Sequence, residues 1–257
     1  MGGPNLLPGG AQPPQGFEPW CTTLRGEQAW RHEVPGGPAA LATWRALRDR
    51  HGRTGLWPVL LGADPQVVDQ LTWRLGMLSR EAPGIPDVDA APDVSSLFDT
   101  WITRVQGDGY LDDVPSHLAK LEADAEAIRS RLTERPDEAA VAALAGDVVT
   151  IALVPAAGGW EVPALLAWSG AERDAIGGPE HLSVLHLWHE SHGAELVALG
   201  LERLELLVAE PPDDARGAFE LAVQHYAYCP ALMDNLVPAL GALAATLFGR
   251  HWLFDWS

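Results

Sequence analysis

The segment HLWHESH places His186, His189 and His192 three residues apart, with Glu190 among them. These are side chains that ligate divalent metals. Histidines four apart on one helix aim both rings at a single ion, as in the HExxH pattern of zinc hydrolases. Here the spacing is one residue short, and His186 and His192 diverge by about 120° around a helix. One ion cannot readily collect all three rings, so the favoured reading is a polar helix face without a metal. Carboxylates form a second set. Glu161, Glu195 and Glu205 lie in or beside apolar runs of strand length, with Trp160 and Trp168 close to Glu161 in sequence. Paired carboxylates beside aromatic rings suit general acid–base chemistry, glycoside hydrolysis included. Strand side chains alternate between faces, and solvation of one face is the competing explanation. Cys229 follows His225 by four residues, a spacing that could pair a thiol nucleophile with a base, although a buried cysteine at a helix end is commoner. The chain has no GxSxG, P-loop, GxGxxG or EF-hand pattern, so nothing points to the commonest hydrolase, nucleotide or calcium sites. No cofactor is implied.

The elements that must position these residues are legible around His181 to Val208. Leu182, Leu185 and Trp188 form one helical stripe, and Gly193 stands where a helix C-cap needs positive φ. Ala194–Leu199 and Leu204–Val208 are apolar runs too short for helices, joined by a hairpin-length turn. Upstream, Leu56 to Leu61 reads as a strand in which Pro58, lacking a donor, predicts an edge position or a bulge. Asp64-Pro65 then starts a helix with Val68, Leu71, Leu75 and Leu78 on one face. Residues 82–113 read as an irregular acidic connector anchored by Leu97, Phe98, Trp101 and Ile102. Leu118, Leu121, Ala125, Ile128 and Leu132 fall at alternating spacings of three and four, which predicts a long amphipathic helix. VVTIALVPA and WEVPALLAW around Gly158-Gly159 predict a hairpin. The ending WLFDWS alternates Trp252, Phe254 and Trp256 against Leu253 and Asp255, as a strand does.

The chain has 257 residues, 47% of them hydrophobic, enough for a core without disulfides or metals. Two distant cysteines, no signal-peptide pattern and no apolar run of membrane-spanning length lead to a cytoplasmic expectation. The formal charge is −18, from 35 acids against 17 bases. Such a surface repels nucleic acid and anionic lipid, and it steers basic partners. With 11 tryptophans in the chain, a face built from Trp160, Trp168, Trp252 and Trp256 would be an interaction surface if no helix covered it, and core if one did.

The second half resembles a known family. VPAAGGWEVPALLAW, LHLWHESHGAELV, Leu204 to Leu206, QHYAYCP and WLFDW look like the bacterial domain of unknown function numbered 4253, over about Val148 to Trp256. TGLWPVLLG at Thr54 to Gly62 resembles a segment that often precedes it. Where that family usually carries an arginine and then a tyrosine, this chain has His186 and His192, and SGAERDAIGG after Trp168 also departs from its pattern. The resemblance implies no activity and assigns no catalytic residue.

The expected fold is α+β, a mixed, largely antiparallel sheet with helices packed on it, preceded by a mostly helical N-terminal region. Residues 1–29 read as a flexible Gly/Pro-rich lead-in, 30–145 as the helical region with one strand and the acidic connector, and 146–257 as an α+β domain. The leading functional expectation is a non-catalytic cytoplasmic protein that binds a basic protein partner, in an immunity-like or regulatory role. Its alternative is a hydrolase or metal-dependent enzyme with its site near 181–208. Oligomeric state is not legible.

Overall fold

The computed structural model describes residues 12–78, 90–112, 114–133, 141, 144–235 and 239–257. In chain order the elements are β1 (Glu18–Thr22), β2 (Gln28–Pro35), α1 (Pro38–Arg48), α2 (His51–Thr54), β3 (Leu56–Gly62), α3 (Pro65–Leu78), α4 (Val94–Val105) and α5 (Val114–Thr133). They continue with β4 (Val148–Pro155), α6 (Val162–Leu165), α7 (Gly178–His192), β5 (Ala194–Leu199), β6 (Arg203–Val208), α8 (Ala215–Tyr228), α9 (Ala231–Asn235), α10 (Leu240–Thr246) and β7 (His251–Asp255). The strands form one mixed sheet in the order β1-β2-β4-β3-β5-β6-β7. Only β3 and β5 are parallel neighbours; the other pairs are antiparallel. This is the α+β architecture expected, but the sheet does not divide at residue 146. Strand β3 lies between β4 and β5, and β2 pairs with the far side of β4, so the two halves of the chain are interleaved.

Local signals explain most elements. Asp64 Oδ1 accepts from the Gln66 amide at 2.9 Å at the start of α3, and Asp214 Oδ1 accepts from Gly217 at 2.7 Å at the start of α8, each satisfying an orphan helix donor. Gly193 ends α7 at φ 58, in the left-handed region that a side chain resists. Trp188 stacks on Phe254 with 5.2 Å between centroids and 7° between planes, and Tyr228 meets the same ring edge-on. Helices α7 and α8 therefore cover the Trp252, Phe254 and Trp256 face of β7, and all three rings are core.

Three expectations are corrected. The lead-in expected to reach residue 29 contains β1 and the start of β2, and Cys21 and Ala29 are buried there; residues 1–11 lie outside the described residues. Hydrogen bonding to β4, far along the chain, makes β2 a strand, and no local period announces that. The connector contains a regular helix, α4, capped by the Asp93 side chain on Ser96 N at 2.9 Å. The hairpin expected at Gly158-Gly159 is instead a 3₁₀ turn, Gly159–Glu161, running into α6. Buried Glu161 causes the turn, since its Oε2 accepts from Ala157 N at 2.6 Å and its carboxylate receives both Nη groups of Arg25. Gly159 permits it, because a Cβ there would lie 2.8 Å from the Trp57 indole.

Two buried histidines add a pH dependence. His181, hydrogen-bonded through Nδ1 to Tyr228 at 2.6 Å, is pushed down to about 3 by burial. Burial, with a smaller contribution from His192, also holds His225 well below the ordinary value. The unfolded chain takes up these protons near 6.5, whereas the folded chain does not. Stability should thus be full above pH 6.5 and fall below it, by about 1.4 kcal/mol per pH unit for each histidine. Urea unfolding between pH 6.5 and 5 should show this slope in the native protein and lose it in His181→Phe/His225→Phe; equal slopes would refute it. Interleaving makes a second expectation. A fragment of residues 146–257 should remain unfolded by circular dichroism and regain structure when residues 12–133 are supplied in trans; a cooperatively folding fragment would contradict the dependence on β3.

Candidate functional site

The centre of the sheet is its weakest ladder. Between β3 and β5 the backbone register is a single pair, Leu60 with Ala198. Pro58 lies in β3, which is central and not at an edge but shows the expected alternative, a bulge-like register shift against β4 between Leu60 and Gly62, and the Pro58 carbonyl accepts from the Trp44 indole of α1 at 2.9 Å. A proline is tolerated here because a side chain uses this stretch of backbone where a neighbouring strand otherwise would. The Trp57 indole donates to Leu196 O at 3.0 Å, across to β5. Arg48 of α1 donates through Nε to Glu195 Oε1 at 2.9 Å, and its guanidinium sits 4.5 Å from the Trp57 ring centroid. Side chains thus stitch a junction that backbone bonds leave open.

A cleft opens at each end of this junction. At the amino end of β5, about 380 Å³ lies among Trp44, Arg48, Glu195, Leu207 and Arg250. At the carboxyl ends of β3 and β5, about 500 Å³ is lined by Gly62, Asp64, Leu199, Glu202, Arg203 and Glu205, with Asp255 and Ser257 beyond. The open side of a parallel strand pair's carboxyl ends is where α/β sheets commonly hold ligands. Four carboxylates face one guanidinium in this second cleft. Asp255 accepts from Arg203 Nε at 3.1 Å. Burial works to raise the Asp255 carboxyl, but hydrogen bonds from Arg203 and Ser257 outweigh it and hold the group below the ordinary carboxylate value. Glu205 is buried, with His251 Nε2 at 2.8 Å from its Oε2. Asp64 caps α3 with one oxygen, and Glu202 is half-buried at the rim, 3.5 Å from Arg173.

The residues singled out for chemistry are placed apart. His186 Nδ1 lies 3.8 Å from Glu190, His189 donates to Ala194 O at 3.2 Å, and His192 donates to Glu210 O at 3.0 Å. His186 and His189 pack on Trp160, whereas His192 packs on Trp252. Among the described residues no group of three or more His, Cys, Asp or Glu could hold a metal ion. Glu161 is tied to Arg25, Glu195 to Arg48 and Glu205 to His251, in three separate places. Cys229 is fully buried, its thiol 3.4 Å from Asp255 O and its pKa pushed up by burial. It is a protonated core thiol, not an activated nucleophile. Trp168, Trp252 and Trp256 are buried and Trp160 is half-buried, so these rings do not form an open face.

Residues 150–257 match the family model of DUF4253, a domain of unknown function. No curated protein and no solved structure matches the chain. The DUF4253 segment supplies most of β4 and all of β5, β6 and β7, but Asp64, Gly62 and the Arg48 clamp come from outside it. Both clefts are therefore joint products of the DUF4253 segment and the residues before it. Sequence reasoning reached Glu195 and Glu205 but missed Asp64, Glu202 and Asp255 as neighbours, because only the β3–β5 junction brings them together. Within reach of the sequence was α3, where Trp73 and Met77 fall off the apolar stripe of Val68, Leu71, Leu75 and Leu78.

If the Arg48–Glu195 clamp carries the junction, a double-mutant cycle with Arg48→Ala and Glu195→Ala should give a coupling of about 1 kcal/mol in urea unfolding. Strictly additive losses would show that the pair contributes nothing to holding β3 against β5.

Proposed function

We propose that this chain is a non-catalytic interaction protein that captures a cationic side chain of a basic protein partner in the acidic cleft at the carboxyl ends of β3 and β5. The observation that carries this reading is the lining of that cleft, four carboxylates to one arginine in a space of about 500 Å³. A guanidinium or ammonium group entering there meets acceptors already fixed by a helix cap, a strand ladder and ion pairs, so little ordering cost remains to be met on binding. The surrounding charge of −18 speeds the encounter with a basic protein and opposes nucleic acid and anionic lipid. A role as an immunity or regulatory protein, which acts by covering a basic surface, suits this chemistry. The cytoplasm is the compartment we infer, since Cys21 and Cys229 are free thiols of the kind a reducing environment preserves. Among the described residues, no helix is long and apolar enough to cross a membrane. The dispersal of Glu161, Glu195 and Cys229 into separately satisfied positions favours binding over acid–base or nucleophilic chemistry.

Titration of a short arginine-rich peptide into the isotopically labelled protein should shift amide resonances around Gly62, Asp64 and Gly200 to Arg203. Asp64→Asn and Glu202→Gln together should weaken binding about tenfold, equivalent to about 1.4 kcal/mol, and Asn still caps α3. Shifts spread evenly over the acidic surface, or an affinity unchanged by the two substitutions, would reject the cleft as the site.

A further inference from the structure

Helix α3 begins at the acidic cleft and carries the largest apolar side chains that the described surface exposes. Trp73 is 64% exposed and Met77 56%, with Val148 the other such residue. They are one turn apart, on the side opposite buried Val67, Val68, Leu71 and Leu75, so helix geometry puts them on a common outward strip. Asp69, one turn before Trp73, is exposed on the same strip. The cation beside it, Arg74, is occupied by Glu172 and by Ala167 O at 2.8 Å. On the other flank the half-buried Trp20 indole donates to Thr72 Oγ1 at 2.9 Å. An exposed tryptophan in a chain that buries most of its aromatic rings is unusual. Tryptophan is the residue most often found at the energetic centre of protein contacts, and methionine is the most adaptable apolar neighbour for it.

Beyond the cleft, we propose that the outward strip of α3 formed by Asp69, Trp73 and Met77 is a second docking site, and that its occupant is a basic amphipathic helix of a partner protein. Charge decides among occupants. A second copy of this chain would bring another −18 against Asp69, whereas a basic helix brings the opposite sign. Along this strip Asp69, Trp73 and Met77 follow one another at about one turn, about 6 Å, per step. A partner helix laid beside α3 presents a cation to Asp69 and apolar side chains four and eight residues further along to Trp73 and Met77, all on one face.

The test uses the full chain and two synthetic helical peptides with the same arginine-bearing end. One has leucines four and eight residues from that arginine, and the other has serines there. The leucine peptide should bind at least tenfold tighter by fluorescence anisotropy. Trp73→Ser/Met77→Ser, both solvent-facing and so expected to leave circular dichroism and thermal unfolding unchanged, should abolish that gain and leave serine-peptide binding intact. Equal affinity of the two peptides, or a gain that survives the double substitution, would overturn the proposal. The gain should survive Asp64→Asn/Glu202→Gln, so that failure of the cleft and failure of the strip are distinguishable, and a gain lost in that variant would overturn the strip as a site of its own. Sedimentation with vesicles of zwitterionic lipid is the last arm. Trp73-dependent co-sedimentation without any peptide gain would replace the protein partner by a membrane.

Discussion

The structure depends on how β3 is held between β4 and β5. On one side β3 has a full antiparallel ladder with β4, and on the other a single register pair with β5. Pro58 stands in the strand, so the second ladder cannot be completed by backbone alone. Across the gap the Trp57 indole of β3 donates to Leu196 O of β5, while α1 ties to both strands through Trp44 on Pro58 O and Arg48 on Glu195. Indole donors are well suited to this position, since each buries a large apolar ring and still satisfies a carbonyl. The same incompleteness creates the two clefts, because strands that do not zip together to their ends leave space there.

Burial on the helix-covered face follows a different logic. Trp188, Tyr228, Trp252, Phe254 and His225 meet at stacked and edge-on geometries with centroids 4.8 to 6.1 Å apart. Neutral imidazoles act there as flat aromatic fillers. The tryptophan surplus is therefore divided between stitching the sheet, filling this layer and, at Trp73, facing solvent. Composition alone could not make that division, because ring count says nothing about which face of an element a ring occupies.

What the sequence revealed was what local physics decides. The Gly193 cap, the β5–β6 hairpin, the Asp64-Pro65 helix start and the aromatic alternation of β7 each depend on neighbours within a few residues, and each is found where the pattern put it. Strand β2, the turn at Glu161 and the central position of β3 depend on partners far away: Trp57 and Leu196 are 139 residues apart along the chain. A strand with a proline looks like an edge until its neighbour is known to be a tryptophan donor. The candidate site was half legible for the same reason. Glu195 and Glu205 stood out by type, but the residues that hydrogen-bond them, Arg48 and His251, could be assigned only once the sheet order was known.

Interleaving has a consequence for synthesis. As the chain leaves the ribosome, β3 is complete early, yet its antiparallel partner β4 and its parallel partner β5 appear only after α3, α4 and α5 have emerged. Until then, β3 is an apolar strand buried along nearly its whole length in the finished protein, with both edges unpaired. Such edges template aggregation, and sheets closed by distant contacts form slowly. The acidic stretches emitted between β3 and β4 keep the nascent chain strongly charged during that interval.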